Sequence, residues 1–403
     1  MKKILLLIPL IGLTYSGYGQ YSWIQKASLP APERYAATSC VSDDRVFIGL
    51  GSNGSTIFKD WWEYDPINDS WTQKADFIPG GRYVAASMSI NGTIYLGLGV
   101  DFLLTIRHDW WSYDPIMNSW MQKNNFPSVE RYGVSTFVID GMGYICFGNE
   151  GGGFGPYTNE LWQYDPSTDS WQIKTPAPTV ARYGTLGLAI NGKGYAGLGG
   201  IKQEDGSYLF HKDFYEYDPQ SDSWSKKANY PRRESYPVSF VLDGHAYVGL
   251  GNANPIIDPN IYVYDPAIDQ WNPSSHFPGG GRFVAIGFSV NGNGYVGLGA
   301  SSLLADFQND LWEFTPPEKI SASSDSSNIG FLPGINQLIP HFTGDAPHLL
   351  VVYNLTGVAL QSELVNSDDP INLNQQLADG VCFATLFNSD GSIACTRKIV
   401  LQQ

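Results

Sequence analysis

Five arginines recur at similar intervals along the chain, at Arg34, Arg82, Arg131, Arg182 and Arg282. An acid recurs in step with them, at Asp60, Asp109, Glu160, Asp213 and Asp310. In the remaining repeat the arginine position is read as Ser235 and the acid position as Asn260, so both charges vanish together. Two chemistries fit the pattern. Converging guanidinium groups can grip a carboxylate or sulfate through paired hydrogen bonds. Alternatively each arginine pairs with the acid of its own repeat and fastens the chain. The joint loss of both charges points toward pairing, and the ligand role stays open beside it.

Other reactive side chains fall in segments that differ between repeats. "NEGGGFGPYTN" and "GIKQEDGSYLFHK" carry Glu150, Tyr157, Glu204, Asp205, Tyr208 and His211. Variable loops are where specificity is written. "GGGFG" lacks the lysine-serine pair and following helix of a phosphate loop. The histidines (His108, His211, His245, His276, His341, His348) show no metal-ligand spacing, so neither a metal nor a cofactor is expected. No nucleophile sits in a Gly-x-Ser-x-Gly elbow, and no catalytic constellation stands out. Apolar tips at Phe102, Leu103, Leu104, Leu303, Leu304 and Phe307 could form a contact patch or fill an entrance.

The elements that must position these groups are short strands. "YDP" starts at Tyr64, Tyr113, Tyr164, Tyr217 and Tyr264, with "FTP" at Phe314 as a worn sixth copy; the steps are 49, 51, 53, 47 and 50 residues. A tryptophan keeps phase at Trp23, Trp71, Trp120, Trp171, Trp224 and Trp271. "GLG" recurs at Gly49, Gly97, Gly197, Gly249 and Gly297, with "CFG" at Cys146. Asn91-Gly92, Asp140-Gly141, Asn191-Gly192, Asp243-Gly244 and Asn291-Gly292 supply the positive φ angles of two-residue hairpins. Asp43-Asp44 in the first unit predicts a looser turn. Proline in "DP" cannot continue a ladder and ends the third strand. The following tryptophan is expected to pack between sheets, with the "GLG" glycines leaving it room.

Four strands in about 50 residues describe a propeller blade. Over roughly residues 21–316 the chain resembles the kelch repeat family, through its glycine-rich second strand, third-strand tyrosine and later tryptophan. The resemblance implies an all-β fold with six blades. The lone strand around Trp23 would complete the last blade and close the ring, removing an exposed edge. It also sets the five arginines around one pore mouth. Kelch relatives include copper oxidases and sialic-acid mutarotases. Copper ligands cannot be assigned here; an arginine beside an acid keeps the acidic-sugar mutarotase as an alternative to a glycan- or protein-binding module.

"MKKILLLIPLIGLTYSGYGQ" reads as a secretory signal peptide over 1–19, followed by the propeller over 20–316. Its apolar run is too short to span a bilayer, and no later segment is long enough. The serine-rich stretch 317–329 reads as a linker. Residues 330–403 are strand-rich and resemble the sorting domain of type IX secretion in Bacteroidetes, through "YNLTG", "INLNQQLADGVCF" and "RKIVLQ". The proline-asparagine-proline motif is missing, and Cys382 stands where an aromatic is usual. The resemblance implies export machinery as a partner and a secreted or cell-surface location. Cys382 and Cys395 fall on facing strands of one predicted hairpin, as a bridge or as two thiols; Cys40 and Cys146 read as core residues. A net charge of −15 argues against nucleic acid as a partner.

Overall fold

The computed structural model describes residues 21–152, 154–253, 257–302, 306–316, 328–332, 337–341, 348–354, 359–365, 371–372, 380–387 and 393–401. The expected signal peptide, most of the expected linker, and Leu303 and Leu304 lie outside them. The described residues are all β and coil. None forms a helix long and apolar enough to cross a membrane. The chain divides into a unit spanning Tyr21–Pro316 and a second containing Pro317–Gln403.

The first unit is propeller-like, built from four-stranded antiparallel sheets. The first sheet runs Thr38–Ser42, Arg45–Gly49, Trp61–Asp65 and Ser70–Lys74 in spatial order. Its neighbours repeat the pattern, with inner strands Ala86–Ile90, Ser135–Ile139, Leu186–Ile190, Val238–Leu242 and Ile286–Val290. Every inner strand alternates buried and half-buried residues, as a strand with packing on one face must. The sheet that starts at Ile286 has Ser22–Lys26 as its outer strand, with Trp23 opposite Phe314.

Hairpin turns follow the expected chemistry. Asn91, Asp140, Asn191, Asp243 and Asn291 all have φ near +50°. Asp43 adopts the same φ, 54°, and Ser42 pairs with Arg45. The first turn is therefore not loose: aspartate tolerates the left-handed region through local hydrogen bonding. The "GLG" glycine has a different role from the one expected. A Cβ on Gly49 would lie 2.2 Å from Asp60 O and 2.6 Å from Trp61 Cε3, just before and at the start of the next strand. Room is needed for the third strand rather than for the fourth-strand tryptophan.

The "YDP" motif carries the sheet-to-sheet fastening. Tyr64 Oη donates to Asp69 Oδ1 at 2.7 Å, and that carboxylate also accepts from Ala27 N, just past the Ser22–Lys26 strand, at 2.9 Å. Trp71 Nε1 donates back to Ala27 O at 2.9 Å. The same exchange joins Asn118 and Trp120 to Ala75, and Asp269 and Trp271 to Ala228. The tryptophans also pack between sheets, as Trp120 does against Phe77 and Trp61. Burying such rings contributes a few kcal/mol each, on the order of 25 cal/mol per Å².

Backbone bonds also run from sheet to sheet just before the inner strands. Val84 N donates to Ala36 O, Gly184 N to Gly133 O, Tyr236 N to Gly184 O, and Ala36 N to Val284 O. Through the last bond, the first and last repeats meet at this level.

The second unit contains two antiparallel sheets. One comprises Asn328–Leu332, Gln337–His341 and Ile371–Asn372; the other orders Ala359–Val365, His348–Asn354, Gly380–Phe387 and Ile393–Leu401. Leu350, Val352, Ala384 and Leu386 are buried on the central strands. The register sets Cys382 opposite Ile399 and Cys395 opposite Leu386. The two cysteines are thus four steps apart along the ladder, about 13 Å, beyond the reach of a disulfide. The bridge considered from the hairpin's existence is excluded by its register. Cys40 and Cys146 are buried free thiols, and burial pushes the Cys40 thiol up to about 12.

Candidate functional site

All five arginines are buried and paired. Arg34 grips Asp60 through two bonds of 2.6 and 2.9 Å, Arg82 grips Asp109 at 2.8 and 3.1 Å, and Arg282 grips Asp310 at 2.6 and 3.1 Å. Arg182 does the same with Asp213 at 2.7 and 2.9 Å. Burial pushes the Asp213 carboxyl upward, but hydrogen bonding and charge from Arg182 outweigh it and hold it down at about 2. The guanidinium groups also donate to backbone: Arg34, Arg82 and Arg282 reach Leu50 O, Leu98 O and Leu298 O. These three arginines therefore join the approach to the inner strand with the ends of the second and third strands of their sheets. A cation–π contact lies beneath each, as with Phe58 under Arg34 at 4.1 Å.

Arg131 differs in having two acids. Its Nη2 lies 2.9 Å from Glu160 Oε2 and 2.8 Å from Glu150 Oε1. Burial pushes the Glu150 carboxyl up. For Glu160, bonds from Trp162 and Arg131 overcome burial and hold it below its usual range. Nη1 of Arg131 has no hydrogen-bond partner among the described residues.

The sixth position needs correction. Residue 34 precedes its inner strand by four, as do Arg82, Arg131, Arg182 and Arg282; before Val238 that place belongs to Glu234, not Ser235. Hydrogen bonding agrees. Gly51 N, Gly99 N, Gly148 N, Gly251 N and Gly299 N each bond the carbonyl of an arginine in this slot, and Gly199 N bonds Glu234 O. The Tyr236 side chain misleads because it mimics the "Arg-Tyr" pattern, but its φ of 52° places it with Ala36, Val84, Gly133, Gly184 and Val284.

Here an acid stands in the arginine slot, and the acid slot holds the neutral Asn260. Glu234 is 1% exposed, and its Oε1 has no hydrogen-bond partner among the described residues. Arg232 lies 3.9 Å from Glu234 Oε2 and 2.7 Å from Asp258 Oδ2, while Asn260 bonds Asp258 Oδ1. Burial pushes the Glu234 carboxyl up to about 8, against the opposing pull of Tyr230 and Arg232.

With the arginines paired, aromatics remain as a coherent feature of this region. Tyr35, Tyr83, Tyr132, Tyr183 and Phe283 follow the five arginines directly and are half-buried. Tyr183 meets Tyr132 edge-on at 5.8 Å, Tyr236 edge-on at 5.8 Å and Tyr157 in a stack at 5.4 Å. Tyr236 reaches across two neighbouring repeats. A Cβ on Gly133 would lie 2.7 Å from its hydroxyl, and one on Gly184 would lie 2.8 Å from its ring. Both glycines also have positive φ, which strains any side chain. Phe307 stacks on Tyr35 at 5.0 Å and lines a cleft of about 530 Å³ with Glu33, Asn53 and Asn309.

The variable-loop residues divide. Tyr157 belongs to this cluster, and its hydroxyl accepts from Lys202 N at 3.0 Å and donates to Lys202 O at 3.3 Å. Tyr208 is exposed and stacks on Phe210. Asp205 bonds Ser207 within its own turn, and Glu204 is exposed. His211 is half-buried, its Nε2 without a hydrogen-bond partner among the described residues; burial and then Arg182 push its imidazole below the usual range. Phe102, Leu103 and Leu104 are exposed on a turn held by Asp101, which accepts from Leu103 N and Thr105 N. Among the described residues no group of three or more His, Cys, Asp or Glu side chains could hold a metal.

The tyrosine cluster escaped the sequence reading. Its signal was the aromatic after each arginine, visible in "RY" and "RF", but convergence of those rings is not readable from spacing. No family model and no curated protein matches the chain. The solved structure described as "Structure of YjhT" is similar, with a TM-score of 0.59 at 19% identity, covering 70% of this chain and 95% of that one. At that identity the likeness speaks for the fold alone.

Proposed function

We propose that Tyr21–Pro316 is a six-bladed kelch propeller that binds a glycan at its tyrosine-lined mouth. The Ala36–Val284 bond, the Ala27–Asp69 bond and the strand Ser22–Lys26 support a ring closed by its own N-terminus. Export through the N-terminal signal and a C-terminal type IX sorting domain places the propeller outside the cell in this reading. The observation that carries the binding role is the cluster of Tyr132, Tyr157, Tyr183 and Tyr236. Half-buried tyrosines offer flat apolar faces for sugar C–H groups. The buried arginines act as locks within five of the blades.

The mutarotase alternative draws on Arg232 beside Glu234, a carboxyl titrating near neutrality. Burial of that carboxyl from solvent favours binding over catalysis. Titration calorimetry against array-identified glycans tests the reading. Tyr183→Ala should abolish binding while circular dichroism stays unchanged. Equal binding by the variant would overturn the assignment of the site, and clear acceleration of anomer exchange with sialic acid would overturn the binding-only role.

A further inference from the structure

Resting on the glycan-binding reading, we infer that the ligand carries an anionic group, a carboxylate or sulfate, and that Lys202 recognises it. The two variable loops meet at this lysine. Tyr157, from the strand after one loop, holds the Lys202 backbone on both sides, donating to its carbonyl and accepting from its N–H. The same Tyr157 ring stacks on Tyr183, so the lysine is fastened to the tyrosine cluster itself.

The ammonium lies among aromatic faces. It is 4.9 Å from the Phe154 ring and 5.9 Å from the Tyr208 ring, both on exposed side chains. Such faces orient a cation without neutralising it. No carboxylate lies within ion-pairing distance of Lys202 among the described residues. Glu204 two positions on makes no ion pair with it, Asp205 is engaged with Ser207, and Glu150 and Glu160 are held by Arg131. This contrasts with the five slot arginines, whose charge is met within the protein.

An oriented ammonium at the border of a half-exposed aromatic surface suits a ligand with an apolar ring face and an adjoining acid. In a protein of net charge −15 it also provides a local place where an anion is not repelled. Lys202 is therefore a specificity-determining residue, while the tyrosines carry binding common to charged and neutral sugars.

The test is an array in which each acidic glycan is printed beside a neutralised form, methyl-esterified for uronates and desulfated for sulfated galactans. Expected is about tenfold tighter binding of one acidic class over its neutral form. The class that shows it separates carboxylate from sulfate. Lys202→Gln should bring the acidic form down to the affinity of its neutral form; Lys123→Gln, on an outer strand, should leave the preference unchanged. Neutral and acidic forms bound equally by the native protein would overturn the anion inference and leave the glycan reading standing. A preference that survives Lys202→Gln would overturn the role of Lys202. An array blank for the native protein would overturn both readings.

Discussion

The strand approaches around Arg182 and around Glu234 occupy equivalent places in adjacent repeats, one holding a base and the other an acid. Each carbonyl accepts from the glycine N–H of the preceding repeat, Gly148 N for Arg182 and Gly199 N for Glu234. The backbone is thus maintained without the arginine. What differs is the electrostatic state. The Arg182–Asp213 pair joins two guanidinium nitrogens to both carboxylate oxygens and holds the aspartate ionised, whereas Glu234 shares Arg232 with Asp258 and keeps an oxygen with no hydrogen-bond partner among the described residues. The comparison separates two functions of the slot: glycine-bonded backbone builds the sheet, and the charged pair adds a lock that one repeat does without.

The largest effect should come from breaking a lock. Arg182→Ala leaves Asp213 without its partner and should lower unfolding free energy by about 3–5 kcal/mol, measured by urea denaturation. A change below 1 kcal/mol would sink the lock interpretation. Next is transplantation. Glu234→Arg alone places a second guanidinium beside Arg232, but adding Asn260→Asp restores the acid of the other repeats. The double variant should exceed the single one in stability by about 2–3 kcal/mol; equal stabilities would show that this slot cannot host the lock.

A smaller effect is expected from pH. The Glu234 carboxyl has a folded value, about 8, above its ordinary one. Its contribution is therefore fully present below the ordinary carboxyl range and is lost as pH rises through about 8. Thermal melting of the native protein should weaken from pH 6 to pH 9, and Glu234→Gln should flatten that slope by up to about 1.4 kcal/mol per pH unit. An unchanged slope would place the titration elsewhere. Asp213 has the opposite sign: its contribution is lost as pH falls toward about 2. Smallest is the sheet-to-sheet fastening, where Asp69→Ala removes bonds from Tyr64 and Ala27 and should cost about 1–2 kcal/mol. No loss would mean that the aromatic packing beneath suffices.

Local signals in the chain were legible where structure depends on neighbouring residues. Asn-Gly and Asp-Gly announced their hairpins, and proline ended the third strands, because φ preferences and missing donors act within a few residues. The arginine–acid correspondence was visible because both members recur in phase. Identity of the sixth slot was not, since Tyr236 imitates the aromatic of the preceding position. The start of the inner strand, the φ of Tyr236 and the bond from Gly199 to Glu234 fix the register. Likewise the sequence shows Cys382 and Cys395 on one hairpin, whereas pairing with Ile399 and Leu386 sets them apart.

The sequence by itself determined the repeating four-strand units, their turns, and which charges accompany each unit. Tertiary structure alone decided that the arginines are buried against their acids, that Glu234 fills the sixth slot, and that Tyr132, Tyr157, Tyr183 and Tyr236 converge with Lys202 beside them. The physical reason is distance along the chain. Turn and strand preferences are set by local sterics, but Tyr157 and Lys202 are 45 residues apart, and only the packing of adjacent sheets brings such residues within a hydrogen bond.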